Sequence, residues 1–187
     1  MRTFFAIKPP DDTIQYLLET TAPLRRSIAE GVKWIAPDQI HLTLKFLGEF
    51  DPAHVETMKH KIQSLCNGSS PIRTATATIG VFPKKGFPRI IWYGLENPEK
   101  LNQLAKRVET ICAEIGYPRE KRPFSPHLTI GRVRRNASHE AMHAIQNTVS
   151  TFSIKRSHPF TISRLHFVHS TLTPSGPQYH DLFTIGL

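Results

Sequence analysis

A chain of 187 residues can bury a substantial core and sets the expectation of one domain over residues 1–187, built as two lobes. Apolar residues make up 39%, which excludes a disordered chain, and no apolar stretch approaches the length of a membrane span. Lys and Arg number 24 against 15 Asp and Glu, and the net charge of +9 draws polyanions such as RNA, anionic headgroups or phosphorylated metabolites.

In chain order, Thr3 to Lys8 reads as a strand, and its apolar run is too short for a signal peptide. After Pro9-Pro10 a helix follows, with Ile14, Leu17, Leu18, Leu24 and Ile28 inward, Asp11 or Asp12 as N-cap and Gly31 as its stop. A strand covers His41 to Phe46. A helix from Pro52 to Cys66 then sets Val55, Met58, Ile62 and Leu65 on one stripe.

The second half repeats this order. Arg73 to Ile79 and Arg89 to Leu95 read as strands; Asn97-Pro98 opens a helix with Leu101, Leu104, Val108, Ile111 and Ile115 inward, ended by Gly116. A strand from His127 to Val133 and a helix near Ser138 to Val149, with Met142, Ile145 and Val149 inward, come next. Further strands are expected at Phe160 to Val168 and Tyr179 to Ile185. Turns fall at Pro83-Lys84-Lys85-Gly86 and Pro174-Ser175-Gly176-Pro177. Cys66 and Cys112 lie on apolar helix faces, as buried thiols in a reducing compartment, and the cytoplasm is the expected location.

Strand, helix, histidine-bearing strand and helix thus occur twice, with the two histidines 86 residues apart. Two like units suggest lobes about a pseudo-twofold axis, with equivalent residues facing one another across a cleft. His41-Leu42-Thr43-Leu44 and His127-Leu128-Thr129-Ile130 share one pattern. Because side chains alternate on a strand, His and Thr of each motif leave one face while the apolar residues enter the core. Chance alone supplies about one His-x-Thr in such a composition, and a third, His169-Ser170-Thr171, lacks the apolar alternation and reads as incidental.

The chemistry of two such units is specific. Opening a cyclic phosphate with water needs a base for the water proton and, on the opposite side, an acid for the leaving oxygen. Imidazoles titrate near neutrality and can hold opposite protonation states. Threonine hydroxyls can donate to non-bridging phosphate oxygens as charge builds there. Neither a metal nor a cofactor is called for.

The pattern resembles the 2H phosphoesterase superfamily, and more narrowly its RNA 2′,3′-cyclic phosphodiesterases, once called 2′-5′ RNA ligases. The resemblance covers nearly the whole chain: Phe4-Phe5-Ala6-Ile7, Trp34, His41 to Gly48, Arg89-Ile90-Ile91-Trp92, Arg122 to Arg132, and Gly176-Pro177-Gln178-Tyr179. It implies an α+β fold of two pseudo-symmetric lobes, each an antiparallel sheet with helices packed outside and the active site between them. It also implies hydrolysis of RNA 2′,3′-cyclic phosphate to a 2′-phosphomonoester, with His41 as proton donor to O3′, His127 as the base for water, and Thr43 and Thr129 binding the phosphate. Reversible 2′-5′ ligation, with an RNA 5′-hydroxyl in place of water, would use the same residues. Among the basic clusters, Arg132 and Arg122 stand nearest the second motif as substrate-binding candidates, and Phe124 and Tyr179 could stack a base. Trp92 reads as core packing. The expected partners are RNA ends or nucleoside 2′,3′-cyclic phosphates, with no membrane and no obligatory protein partner, and the expected state is a monomer.

Two rival readings remain. His139-Glu140-Ala141-Met142-His143 matches the helical zinc signature His-Glu-x-x-His, but no downstream glutamate ligand follows and the apolar stripe leaves both histidines toward solvent. The other is a non-catalytic RNA-end binder. It would have no need of both proton carriers.

Overall fold

In the computed structural model, which describes residues 1–28, 30–174 and 176–187, nine strands and four helices are placed. In chain order they are β1 (Arg2–Ile7), α1 (Asp11–Ser27), β2 (Val32–Trp34), β3 (Leu42–Glu49), α2 (Val55–Cys66), β4 (Ile72–Phe82), β5 (Ile90–Leu95), α3 (Glu99–Glu114), β6 (His127–Val133), α4 (His139–Thr151), β7 (Pro159–Ile162), β8 (Arg164–Thr173) and β9 (Gly176–Gly186). The first sheet runs β3-β1-β8-β9 and the second β2-β6-β5-β4-β7, with every described pairing antiparallel. Apart from β2, the orders correspond strand for strand, and the two histidine strands hold equivalent positions.

Two of the four helices, α1 and α3, are exchanged between sheets. Although α1 follows β1 of the first sheet, it packs on the second: Tyr16 stacks on His158 and bonds the carbonyl of Arg156, and Arg25 lies over Trp34 of β2. Conversely α3 follows β5 of the second sheet but packs beside α2 on the first, where Arg107 donates to the carbonyl of Leu65 and Lys61 pairs with Glu114. An amphipathic stripe requires cover for a helix without saying which sheet provides it. The stripes themselves are as expected: Leu17 and Leu24, Met58 and Ile62, Leu101 and Val108, and Ile145 and Val149 are all buried. Both thiols are buried and unpaired, and burial pushes that of Cys112 up to about 12.

Several boundaries differ from expectation. Pro10, not an aspartate, caps α1; Asp11 and Asp12 sit in the first turn, where the dipole favours acids, and Asp12 accepts from the Thr13 amide. The helix ends at Ser27, ahead of Gly31, which takes a φ of 82°. Residues Pro52–His54 form a short 3-10 turn before α2. Strand β2 carries too few residues to show a pattern. The single strand expected from Phe160 to Val168 is two, broken at Ser163: β7 borders β4 in the second sheet, and β8 lies between β1 and β9 in the first. Alternation continues across the break, so the change of sheet leaves no local mark. The expected turn at Pro174-Ser175-Gly176-Pro177 includes Ser175, which lies outside the described residues.

Candidate active site

Both histidine strands carry a bulge at the same place. In β3, Thr43 pairs with Ala6 and Lys45 with Phe5, which leaves Leu44 as the extra residue; in β6, Thr129 pairs with Trp92 and Gly131 with Ile91, which leaves Ile130. A bulge re-aims the side chains beyond it. His41, Thr43 and Phe46 consequently face the cleft while Leu42 and Lys45 turn toward the helices. In β6 the same shift puts Arg132 on the face of His127 and Thr129, where plain alternation would have sent it inward. Gly131 allows a close approach there: a Cβ would lie 3.0 Å from the Val32 side chain and 3.1 Å from the Trp34 ring, which would have to give by a few tenths of an ångström.

The two imidazoles are oriented identically. Nδ1 of His41 donates to the carbonyl of Gln39 at 2.8 Å, and Nδ1 of His127 donates to the carbonyl of Ser125 at 2.6 Å. A carbonyl only accepts, so Nδ1 carries the hydrogen and Nε2 of each neutral ring is left free to take a proton. Burial lowers both pKa values below the ordinary histidine range, against the raising effect of the carbonyl bonds. The charge of Arg132 lowers both further, and Lys8 and His127 add to the lowering at His41.

Three cavities lie along the cleft. The central one, about 370 Å³, is lined by His41, Thr43, Thr129, Arg132, Trp34 and Tyr179 among others. It thus brings together both threonines, one histidine and two of the four expected substrate contacts. On the far side of His41 a second cavity of about 370 Å³ has a floor of Phe4, Ala6 and Val168, with Lys8, Gln178 and His180 at its edge. On the other side Thr43 and His127 line a third, of about 750 Å³, with Arg122 and Phe124. Tyr179 meets His41 edge-on, with ring centroids 5.3 Å apart, and Phe4 stacks under the same imidazole at 4.9 Å. Phe82 meets His127 edge-on at 5.1 Å and is itself packed on Trp92 at 5.0 Å. The sequence reading did not single out Phe82 or the site roles of Phe4 and Phe46, nor the carbonyls of Gln39 and Ser125. The carbonyls had one available signal, since they too lie 86 residues apart.

The remaining candidates fall elsewhere. His169 pairs with Thr3, whose side chain faces the helices, so its ring points away from the cleft; its neighbour Ser170 lines the central cavity. His139 and His143 both pack on Phe87 of the loop after β4, and no group of three metal-binding side chains occurs among the described residues. No helix is long and apolar enough to cross a membrane, among the described residues.

Two antiparallel sheets that each present a His-x-Thr strand to a shared cleft define a 2H phosphoesterase-type α+β protein. The family model of the 2′-5′ RNA ligase superfamily matches residues 10–173, and the chain belongs to that superfamily. It is 28% identical over 186 residues to an RNA 2′,3′-cyclic phosphodiesterase of Methanothermobacter thermautotrophicus, covering 97% of this chain and 96% of that protein. A protein of the same name from Archaeoglobus fulgidus is 30% identical over 184 residues, covering 97% and 98%. The crystal structure of TT0787 of Thermus thermophilus superposes with a TM-score of 0.83 at 26% identity, covering 100% of this chain and 98% of that one. Escherichia coli LigT complexed with 3′-AMP shares the fold, with a TM-score of 0.75 at 21% identity and coverage of 100% and 97%.

Proposed function

We propose that this chain opens RNA 2′,3′-cyclic phosphates with water to give 2′-phosphomonoesters, without a metal or other cofactor. The observation that carries this reading is the matched pair of imidazoles, each held through Nδ1 with Nε2 free beside the cleft. Near-full-length relatives named for this activity support it.

In this reading the phosphorus sits in the central cavity. Thr43 and Thr129 donate to its non-bridging oxygens, and Arg132 balances the charge that builds there. Nε2 of His127 takes a proton from water, the water oxygen bonds to phosphorus, and the P–O3′ bond breaks opposite it. A proton from Nε2 of His41 goes to O3′. The asymmetry of the cleft supports that assignment. O3′ belongs to the nucleoside, and the hollow for a nucleoside lies beside His41, where Ala6 stands in the register position that Trp92 holds beside Thr129. There Tyr179 and Phe4 offer rings to a base. The third cavity admits water to His127.

The reading extends to the rest of the protein. The chain is one bilobal unit over residues 1–187, arisen by duplication, and the 86-residue offset shared by motifs, bulges and carbonyl partners supports it. It acts as a cytoplasmic monomer on RNA ends or nucleoside cyclic phosphates, with no obligatory protein partner. The test is incubation with cytidine 2′,3′-cyclic monophosphate in excess EDTA, followed by phosphorus NMR. Formation of 2′-CMP is expected. No ring opening would overturn the reading, and 3′-CMP as the product would overturn the choice of O3′ as leaving oxygen.

A further inference from the structure

The two lobes match closely at the site, yet what lies beside the two imidazoles differs. Phe4 pairs with Phe46 in the first sheet and Ile90 with Arg132 in the second, and each residue of one pair stands 86 positions from its counterpart. The place held by an aromatic ring beside His41 is therefore held by an aliphatic side chain in the His127 half. Phe4 stacks on His41, with centroids 4.9 Å apart and planes 27° from parallel. Phe46 stacks on Phe4 in turn, at 5.9 Å and 7°, with the Arg2 guanidinium 5.3 Å from the Phe46 centroid. Phe4 is 2% exposed, so the contact is shielded from water. His127 has no stacked ring among the described residues: Phe82 meets it at 84°.

We infer that Phe4 is a positioning residue that selects His41 as the proton donor, by presenting its ring face to the imidazolium in a contact that Ile90 does not give His127. The inference rests on the reading of His41 as the acid. The face of a phenyl ring carries negative charge, and a cation within about 6 Å of its centroid is attracted to it, most strongly where water is excluded. His41 needs such help. Burial, and after it Arg132, Lys8 and His127, all disfavour its charged form. The Gln39 carbonyl favours that form, but the Ser125 carbonyl does the same for His127, so this bond does not separate the two. Nor does the edge-on ring, since Tyr179 meets His41 at 87° much as Phe82 meets His127. Of the other groups around His41, Lys8 is paired with Asp181, and Arg2, Lys33 and His180 bring no negative charge. Asp38 is the one carboxylate lining either cavity beside His41, and it is exposed, where water and salt screen it. The stacked face of Phe4 is thus the feature that favours a proton on His41 and is missing from the other half.

The experiment is an NMR titration of the two imidazoles in the free protein, with Phe4→Leu and Phe4→Met removing the ring face while keeping apolar bulk. The His41 midpoint is expected to fall by about half to one pH unit, the worth of a shielded cation–π contact, while that of His127 stays. The sign separates this effect from a packing defect, because looser packing admits water and raises the midpoint by relieving burial. Full fluorination of the Phe4 ring keeps its shape and withdraws charge from its face, and is expected to lower the midpoint likewise. The basic limb of the kcat/KM profile with cytidine 2′,3′-cyclic monophosphate marks the acid losing its proton, and it should move to lower pH by the same amount. A His41 midpoint that stays or rises in these proteins overturns the inference, whatever becomes of activity. A midpoint that falls while the limb stays put leaves the contact standing but overturns the reading of His41 as the acid, and with it the selection.

Discussion

His41 and His127 are held by one device used twice: each ring gives its Nδ1 hydrogen to the carbonyl two residues before it, of Gln39 and of Ser125. Both rings are also held below the ordinary histidine pKa by burial and by Arg132. Both rings therefore take up a proton less readily than a free imidazole, and in the proposed mechanism the acid acquires its proton as an anionic phosphate enters. Binding of 2′-CMP is expected to tighten as pH falls from 8 toward about 6, with proton uptake that calorimetry in buffers of different ionisation enthalpy would reveal. Affinity independent of pH would contradict this. The linked effect on folding has a definite sign. A depressed native pKa means that the unfolded chain binds protons first, so stability falls as pH drops below about 6.5, the unfolded value, and levels off below the native pKa values.

The two rings act as one unit in the proposed mechanism. His41→Ala and His127→Ala should each lower kcat/KM by roughly 10²–10⁴-fold, the usual worth of a positioned acid or base. The double variant should lose less than the product of the two. Thr43→Val and Thr129→Val should cost less, since each removes one hydroxyl and keeps the strand's packing. His169→Ala serves as the control, because its ring faces away from the cleft. Full activity in either cleft-histidine variant, measured by steady-state kinetics, would mean the wrong pair had been chosen.

Arg132 should act on both rate and pH profile. Its charge lowers both imidazole pKa values, so Arg132→Ala should shift the acid limb of the kcat/KM profile to higher pH. The rate should fall by roughly 10²–10³-fold, the cost of one lost donor to a developing oxyanion. Arg132→Lys should restore the position of the limb more fully than the rate, because it restores charge without the planar fork. A loss of rate with an unmoved limb would show that Arg132 does not govern these titrations.

A buried ion pair ties the loop ahead of His127 to the fold. Lys45 is 5% exposed; its ammonium lies 2.6 Å from both the Glu109 carboxylate and the carbonyl of Pro118, and the same carboxylate oxygen accepts the amide of Glu120 at 2.6 Å. Glu109→Ala strands the lysine and should cost about 3–5 kcal/mol in urea unfolding. Lys45→Met with Glu109→Leu should recover much of that loss, because no buried charge remains. A double variant as unstable as Glu109→Ala would show that the pair itself contributes most of the stability.

At Gly131 a side chain meets Val32 and Trp34 at close quarters. Gly131→Ala pushes a methyl against Val32 and Trp34 and should destabilise by about 1–3 kcal/mol, with loss of the β2 pairing. Hydrogen exchange at residues 32–34 would report it.

The sequence by itself determined the elements that carry chemistry and the pairing of His with Thr. Alternation along a strand is a local property, and Leu42, Leu44, Leu128 and Ile130 are buried as their spacing required. The second motif's strand begins at His127 and ends at Val133, as the pattern indicated. The 86-residue offset likewise told which residues are equivalent.

Tertiary structure alone decided the rest. A bulge is a relation between a strand and its partner, so nothing within β6 announces that Ile130 is the extra residue or that Arg132 turns into the cleft with Thr129. The stripes of α1 and α3 required apolar cover, and only the assembled sheets settled that each helix crosses to the sheet it does not come from. The break at Ser163 sends one continuous pattern into two sheets for the same reason. Local sequence sets which face of an element is apolar, while the choice of neighbour depends on contacts between residues far apart in the chain.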